Sequence, residues 1–193
     1  NAYRINNQLD KALECYDIFI DIRNFHDHYN IRIVEEEIEA CERAKIIKDS
    51  PLNIKKKNCG QLINQGIKNF RPVVNYDETV MVFMRSQKFY DAIMYSYKLE
   101  GNWVKPENIT PQVGSDGNMT PSGISEDGTK LLLVKVSDRS GEGDIYFSER
   151  KDELWTKAVP LGKNINTSRD EAHASFSPDG NTIYFSSDQR GGE

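Results

Sequence analysis

The residues able to do chemistry fall into a few short runs. Aspartate recurs in three turns, Asp77-Glu78, Asp127-Gly128 and Asp179-Gly180, where carboxylates could bind a cation or act as acid and base. Ser177, Ser186 and Ser187 are candidate nucleophiles, and His173 stands four residues before the first of them. His26-Asp27-His28 offers two or three metal ligands in one run. Asp138-Arg-Ser-Gly-Glu-Gly-Asp144 mixes oxygen side chains with glycine, loosely as a calcium loop does, and Gly114-Ser-Asp-Gly-Asn118 does so more weakly.

Each run has an architectural reading that explains it better. The Asp turns recur between pairs of apolar runs, and Asp-Gly tolerates the positive φ of a tight two-residue hairpin. The serines lack a Gly-x-Ser-x-Gly elbow, and no local pattern supplies a base. A metal site needs a third or fourth group with a supporting shell, and none is spaced near His26 and His28. The 138–144 run lacks the spacing and closing bidentate Glu of an EF-hand, which leaves a hairpin loop. No catalytic, cofactor-binding or metal-ligating residue is therefore assigned, and the chain is expected not to be an enzyme. Trp103 and Trp155 suit packing on outer strands, with a protein or glycan contact as the alternative. Asn108, Asn118 and Asn166 stand in Asn-x-Ser/Thr sequences, acceptors only in a eukaryotic secretory host.

The elements that carry these runs have two periods. Up to about Asp49 the period is helical, with Leu9, Ala12, Leu13, Tyr16, Phe19 and Ile20 on one face. Arg23 to Tyr29 reads as a connection. Val34, Ile38, Cys41, Ala44 and Ile47 then line a second helix, with Glu35-Glu36-Glu37 at its dipole-positive start and Pro51 as its stop. Cys15, Cys41 and Cys59 have no metal spacing; Cys15 and Cys41 fall on the apolar faces and read as small buried hydrophobes. After a linker over 51–68 the period is two. Strands are expected over 80–83, 92–95, 131–134, 144–147 and 182–185, in an antiparallel sheet because no helix pattern separates them.

A repeat organises that half. The turn aspartates at 77, 127 and 179 lie 50 and 52 residues apart, and Ile93-Met94-Tyr95 and Trp103 recur 52 residues later as Ile145-Tyr146-Phe147 and Trp155. A period near 50 with four strands per unit is that of a β-propeller blade. Two units and the first two strands of a third can be counted over 69–193. Because propellers need about four to eight blades, and because the chain opens on Asn1, it is expected to be a piece of something longer.

Composition narrows the partners. At 193 residues the chain can hold one large domain or two small ones. A formal net charge of −5 argues against nucleic acid, which calls for a basic face. No apolar run approaches the ~20 residues that span a bilayer.

Ser177-Pro178-Asp179-Gly180 followed by Thr-Ile-Tyr-Phe-Ser-Ser resembles the WD40-like propeller repeat of the TolB type; in the first unit Asn75-Tyr76-Asp77-Glu78 replaces that form. Asn7-Gln-Leu-Asp-Lys-Ala-Leu-Glu-Cys-Tyr16 resembles the second helix of a tetratricopeptide repeat, with Ala12 and Tyr16 at packing positions and Asn7 where Gly is usual. With Cys41-Glu-Arg-Ala-Lys and Gly60-Gln-Leu-Ile-Asn64 between them, the whole is similar to a group of Bacteroidetes envelope proteins. The resemblance implies an α + β multidomain chain: a tetratricopeptide-like segment over 1–50, then propeller blades. It also implies a periplasmic or outer-membrane-associated scaffold for other envelope proteins, in part of the group serving type IX secretion or gliding. Peptidoglycan would be reached through an OmpA-like domain outside these residues. The alternatives are the propeller of a serine peptidase or other envelope hydrolase, and a glycan-binding propeller.

Overall fold

A computed structural model describes residues 2–22, 24–50 and 53–189, except for the side chain of Asp27. The chain divides into two compact units, Asn1–Lys57 and Asn58–Glu193. Pro51, which the sequence marks as the helix stop, and the closing Arg190-Gly191-Gly192 lie outside the described residues.

The first unit is helical. Helix α1 (Ala2–Ile5) ends near Asn7, whose φ of 57° is the left-handed region that favours glycine. Helix α2 (Leu9–Ile20) packs on α4 (Ile31–Asp49), and Leu9, Ala12 and Cys41 meet in their joint core beside half-buried Leu13, Tyr16 and Ala44. The connection between them is not plain loop: Phe25–His28 forms one helical turn, α3. Three details depart from the apolar stripes. Cys15 is exposed, since position 15 falls between the buried rows; Ile47 is 61% exposed; and α4 begins at Ile31, so the three glutamates fall in its second turn. Glu37 instead pairs with Arg4 at 2.7 Å and accepts a hydrogen bond from the Tyr16 hydroxyl. The helix start is capped by the Asn30 side chain, which accepts from the Arg32 amide.

The second unit is three antiparallel sheets. The first runs β1 (Asn69–Val74), β2 (Val80–Ser86), β3 (Asp91–Leu99), with the outer position shared by β4 (Asn102–Trp103) and β5 (Glu107–Asn108). After a four-residue helix, α5 (Thr110–Val113), the second repeats this as β6 (Met119–Ile124), β7 (Lys130–Val136), β8 (Gly143–Lys151), β9 (Leu154–Trp155) and β10 (Val159–Pro160). The third is the pair β11 (Glu171–Phe176) and β12 (Ile183–Ser187). All five anticipated strands are present and every pairing is antiparallel, but the outer strand is broken into two pieces, and α5 breaks the expectation of a helix-free half.

Alternation of the pleat decides which faces stack. Val80, Val82, Met84, Ile93 and Tyr95 of the first sheet bury against Leu131 and Leu133 of the second. Leu132 and Ile145, pointing the other way, bury against Ala174 of the third. Backbones close in where glycine allows: a Cβ on Gly123 would stand 2.8 Å from the Ala174 carbonyl oxygen. The opposite face of the first sheet, with Met81, Phe83, Ala92 and Met94, is covered by Ile63. Arg85, buried and with no ion pair among the described residues, holds that segment by donating to the carbonyls of Leu62 and Ile63 and to Asn69 Oδ1. Burial pushes its guanidinium pKa down. Two sheets of four strand positions with a two-stranded third stacked on them fit an incomplete propeller.

Candidate interaction surface

The turn aspartates and the candidate serines are spent on structure. At each recurrent turn the loop closes over four residues, as in the bond from the Ser125 amide to the Lys130 carbonyl, repeated at Asn75–Val80 and Ser177–Thr182. Only the third of the four loop residues enters the left-handed region: Glu78 (φ 58°), Gly128 (69°) and Gly180 (70°). The aspartate beside it does not take positive φ, so the two-residue hairpin anticipated at Asp-Gly is absent. Its carboxylate is an acceptor for its own loop. Asp127 receives the Ser125 hydroxyl and the Thr129 amide and hydroxyl, Asp77 the Thr79 amide and hydroxyl, and Asp179 the Ser177 hydroxyl and the Asn181 amide. These bonds hold all three carboxyls below the usual range, led by Ser125, Thr79 and Ser177 respectively.

Two-residue hairpins do occur, where the sequence does not announce them. Glu100-Gly101 joins β3 to β4 and Asp152-Glu153 joins β8 to β9, all four at positive φ. They fold each tryptophan back onto the end of the third strand, pairing Lys98 with Trp103 and Arg150 with Trp155. Beside them the fully buried Ser96 and Ser148, 52 residues apart, donate to the carbonyls of Val104 and Thr156. This repeated serine was missed, although the spacing it keeps is the one already visible in the sequence.

The three candidate serines are all engaged. Ser177 is buried and its hydroxyl is committed to Asp179, Ser186 donates to the Ala172 carbonyl, and Ser187 donates to Glu171. His173 sits exposed on a bulge of β11 with φ 51°. Fully buried Glu171 accepts Thr167 and Ser187; burial pushes its carboxyl up, but the bonds from Thr167 and Ser187 outweigh that and hold it low. His26 and His28 are exposed on α3. Among the described residues no group of three or more His, Cys, Asp or Glu could hold a metal. The 138–144 run is the hairpin between β7 and β8, and Asp144 is pushed up by burial and by Glu171 and Glu142. Asp116, in the 114–118 run, pairs with Lys135 at 2.9 Å. Asn166 cannot carry a glycan as placed, because its side chain bonds the backbone of Ile145 and Leu161.

What remains open is apolar and at the strand ends. Tyr76 on the β1–β2 turn is 87% exposed, Phe89 on the β2–β3 loop 85%, and Ile67 just before β1 86%. Lys68 hydrogen-bonds through its carbonyl to Ser86, so Ile67 and the Phe89 loop share one end of the first sheet. Lys88 lies over the Phe89 ring at 5.0 Å. Between the inner strands β1, β6 and β11 runs a groove of about 500 Å³ lined by Arg71, Thr120, Ser122 and His173 among others. Arg71 spans it by donating to Thr120 Oγ1. The helical unit has its own open groove, about 510 Å³, beside Leu9, Asp10 and Lys45.

No protein-family model and no curated protein matches the sequence. Among solved structures the chain is similar to TolB from Acinetobacter baumannii, with 18% identity and a TM-score of 0.41 over 63% of this chain and 27% of that one. It is similar also to a protein assigned as TolB from Agrobacterium tumefaciens, with 22% identity and a TM-score of 0.43 over 61% and 38%. The chain thus spans well under half the length of either. Likeness at this level does not decide the fold; the strand pairing and the repeated side-chain contacts do. Among the described residues no helix is long and apolar enough to cross a membrane.

Proposed function

We propose that the sheets are blades of a β-propeller, and that the chain is a non-enzymatic scaffold binding other proteins of a bacterial envelope. One observation carries the reading: the turn aspartates and the three candidate serines are held by their own turns and strands, while Tyr76, Ile67 and Phe89 stand open at strand ends. Large apolar side chains held out on short, paired loops suit recognition rather than bond-making. The helical unit, read as tetratricopeptide-like, adds a second groove. Resemblance of the sequence to Bacteroidetes envelope proteins supports a periplasmic or outer-membrane-associated site, service to a secretion or gliding machine, and a tether to peptidoglycan through a domain outside these residues.

Photo-crosslinking residues introduced at positions 76 and 89 of the protein in its native envelope test this. Discrete protein adducts at those positions, weak at the inward-facing position 132, are expected. Absence of any protein adduct at 76 and 89 overturns the scaffold reading.

A further inference from the structure

Each sheet is preceded by a connector with an apolar residue six positions before the first strand: Ile63 before β1, Val113 before β6, Ile165 before β11. Two connectors also finish the sheet behind them. The broken outer strand leaves the backbone of Ile93 and of Ile145, equivalent residues on β3 and β8, without a full ladder. Thr110 Oγ1 accepts the Ile93 amide at 2.8 Å, and the Ile109 amide donates to the Ile93 carbonyl. At the next sheet Asn166 Oδ1 accepts the Ile145 amide at 2.9 Å, and the Leu161 amide donates to the Ile145 carbonyl.

The first connector matches the third at an offset of 102 residues: Gly60, Ile63 and Asn64 coincide with Gly162, Ile165 and Asn166, and Cys59 with Leu161. Half of this device is in use. Ile63 is planted on the first sheet and clamped by Arg85. The other half faces outward: Cys59 and Asn64 are exposed, and the Asn64 side chain donates within its own loop, to Asn58.

We infer that residues 59–64 are a latch for the edge strand of a further sheet of the same repeat, carried by the same polypeptide. The Cys59 amide would take the carbonyl, and the Asn64 side chain the amide, of the third-strand residue equivalent to Ile93 and Ile145. A second copy of these residues offers no such strand, because Ile93 and Ile145 are already engaged by Thr110 and Asn166. The inference rests on the propeller reading, in which the sheets stack in chain order and the free side of the first meets the last. It is independent of whether the loops bind a partner.

The test is the alkylation rate of Cys59 by N-ethylmaleimide, resolved by peptide mass, in the natural full-length protein and in residues 1–193. Cys15, also exposed, is the internal reference. Cys59 is expected to react about tenfold or more slowly in the full-length protein, as a site that must open locally before it reacts. Asn64→Ala should restore its reactivity there while leaving the thermal midpoint of residues 1–193 unchanged. Equal Cys59 rates in the two proteins overturn the latch, as does an Asn64→Ala variant that stays protected. Protection that fades on dilution overturns the assignment to the same polypeptide.

Discussion

The first and second sheets are written in one repeat and used differently. Trp155 is buried because Tyr95 of the sheet before it closes over its ring, centroid to centroid at 5.6 Å. Trp103, its equivalent, has no preceding sheet among the described residues; it is half-buried on the Ile63 cluster with Lys98 over its ring at 4.9 Å. Gly128 occupies the left-handed turn position of the second sheet and Glu78 that of the first. The second and third strands join through Phe89 and Tyr90 in one sheet and through Ser140, Gly141 and Glu142 in the other. Strand positions are set by the repeat, whereas burial is set by the place in the stack.

The two sheets should differ most at their tryptophans. Trp155→Ala should cost about 3–5 kcal/mol, and Trp103→Ala clearly less, in urea unfolding of the sheet unit. Equal losses would mean that stacking does not distinguish the two. Trp155→Phe should be milder than Trp155→Ala, since the indole nitrogen has no hydrogen-bond partner among the described residues.

At the turn position the two sheets should respond with opposite sign. A Cβ on Gly128 would stand 2.7 Å from Val80 Cγ2 at a φ of +69°; Gly128→Ala should therefore destabilise by about 1–3 kcal/mol. Glu78→Gly relieves a left-handed glutamate and should raise stability by about 1 kcal/mol. Ser96→Ala and Ser148→Ala should cost about 1 kcal/mol each and agree closely, because each strips one donor from a carbonyl. Unequal values would show that the repeat is less faithful in its polar contacts than in its strands.

Acid sensitivity is the smallest effect expected. Asp127 titrates below the ordinary aspartate value of 3.8 when folded, so its contribution is present above that value and is lost as pH falls through the depressed one. Asp127→Asn should flatten the acid limb of the sheet unit's unfolding curve, and Asp77→Asn should do the same in the first sheet.

Much of this was legible from particular residues. A short continuous apolar run such as Leu131-Leu132-Leu133-Val134 gives a strand, and three aspartates near a 50-residue period give the unit. The three aspartates were legible as turn residues for the same reason, since a residue that recurs between two strands is serving the turn. The broken outer strand was not legible, because two-residue strands leave no period to detect. The hairpins at Glu100-Gly101 and Asp152-Glu153 were hidden because left-handed Glu and Asp are unfavourable on local grounds and are held there by pairing on both sides. Cys15 and Ile47 are exposed because they lie off the seam between α2 and α4, where Leu9, Ala12 and Cys41 meet.

The two tryptophans are the only ones in the chain, and both belong to the sheet unit. Because one is sealed and the other half open, the molecule carries a separate optical reporter for each sheet. Acrylamide should quench the emission of Trp103 first and leave a blue-shifted remainder from Trp155. Whatever covers the free face of the first sheet should then be visible as a change in Trp103 emission alone, with no label added.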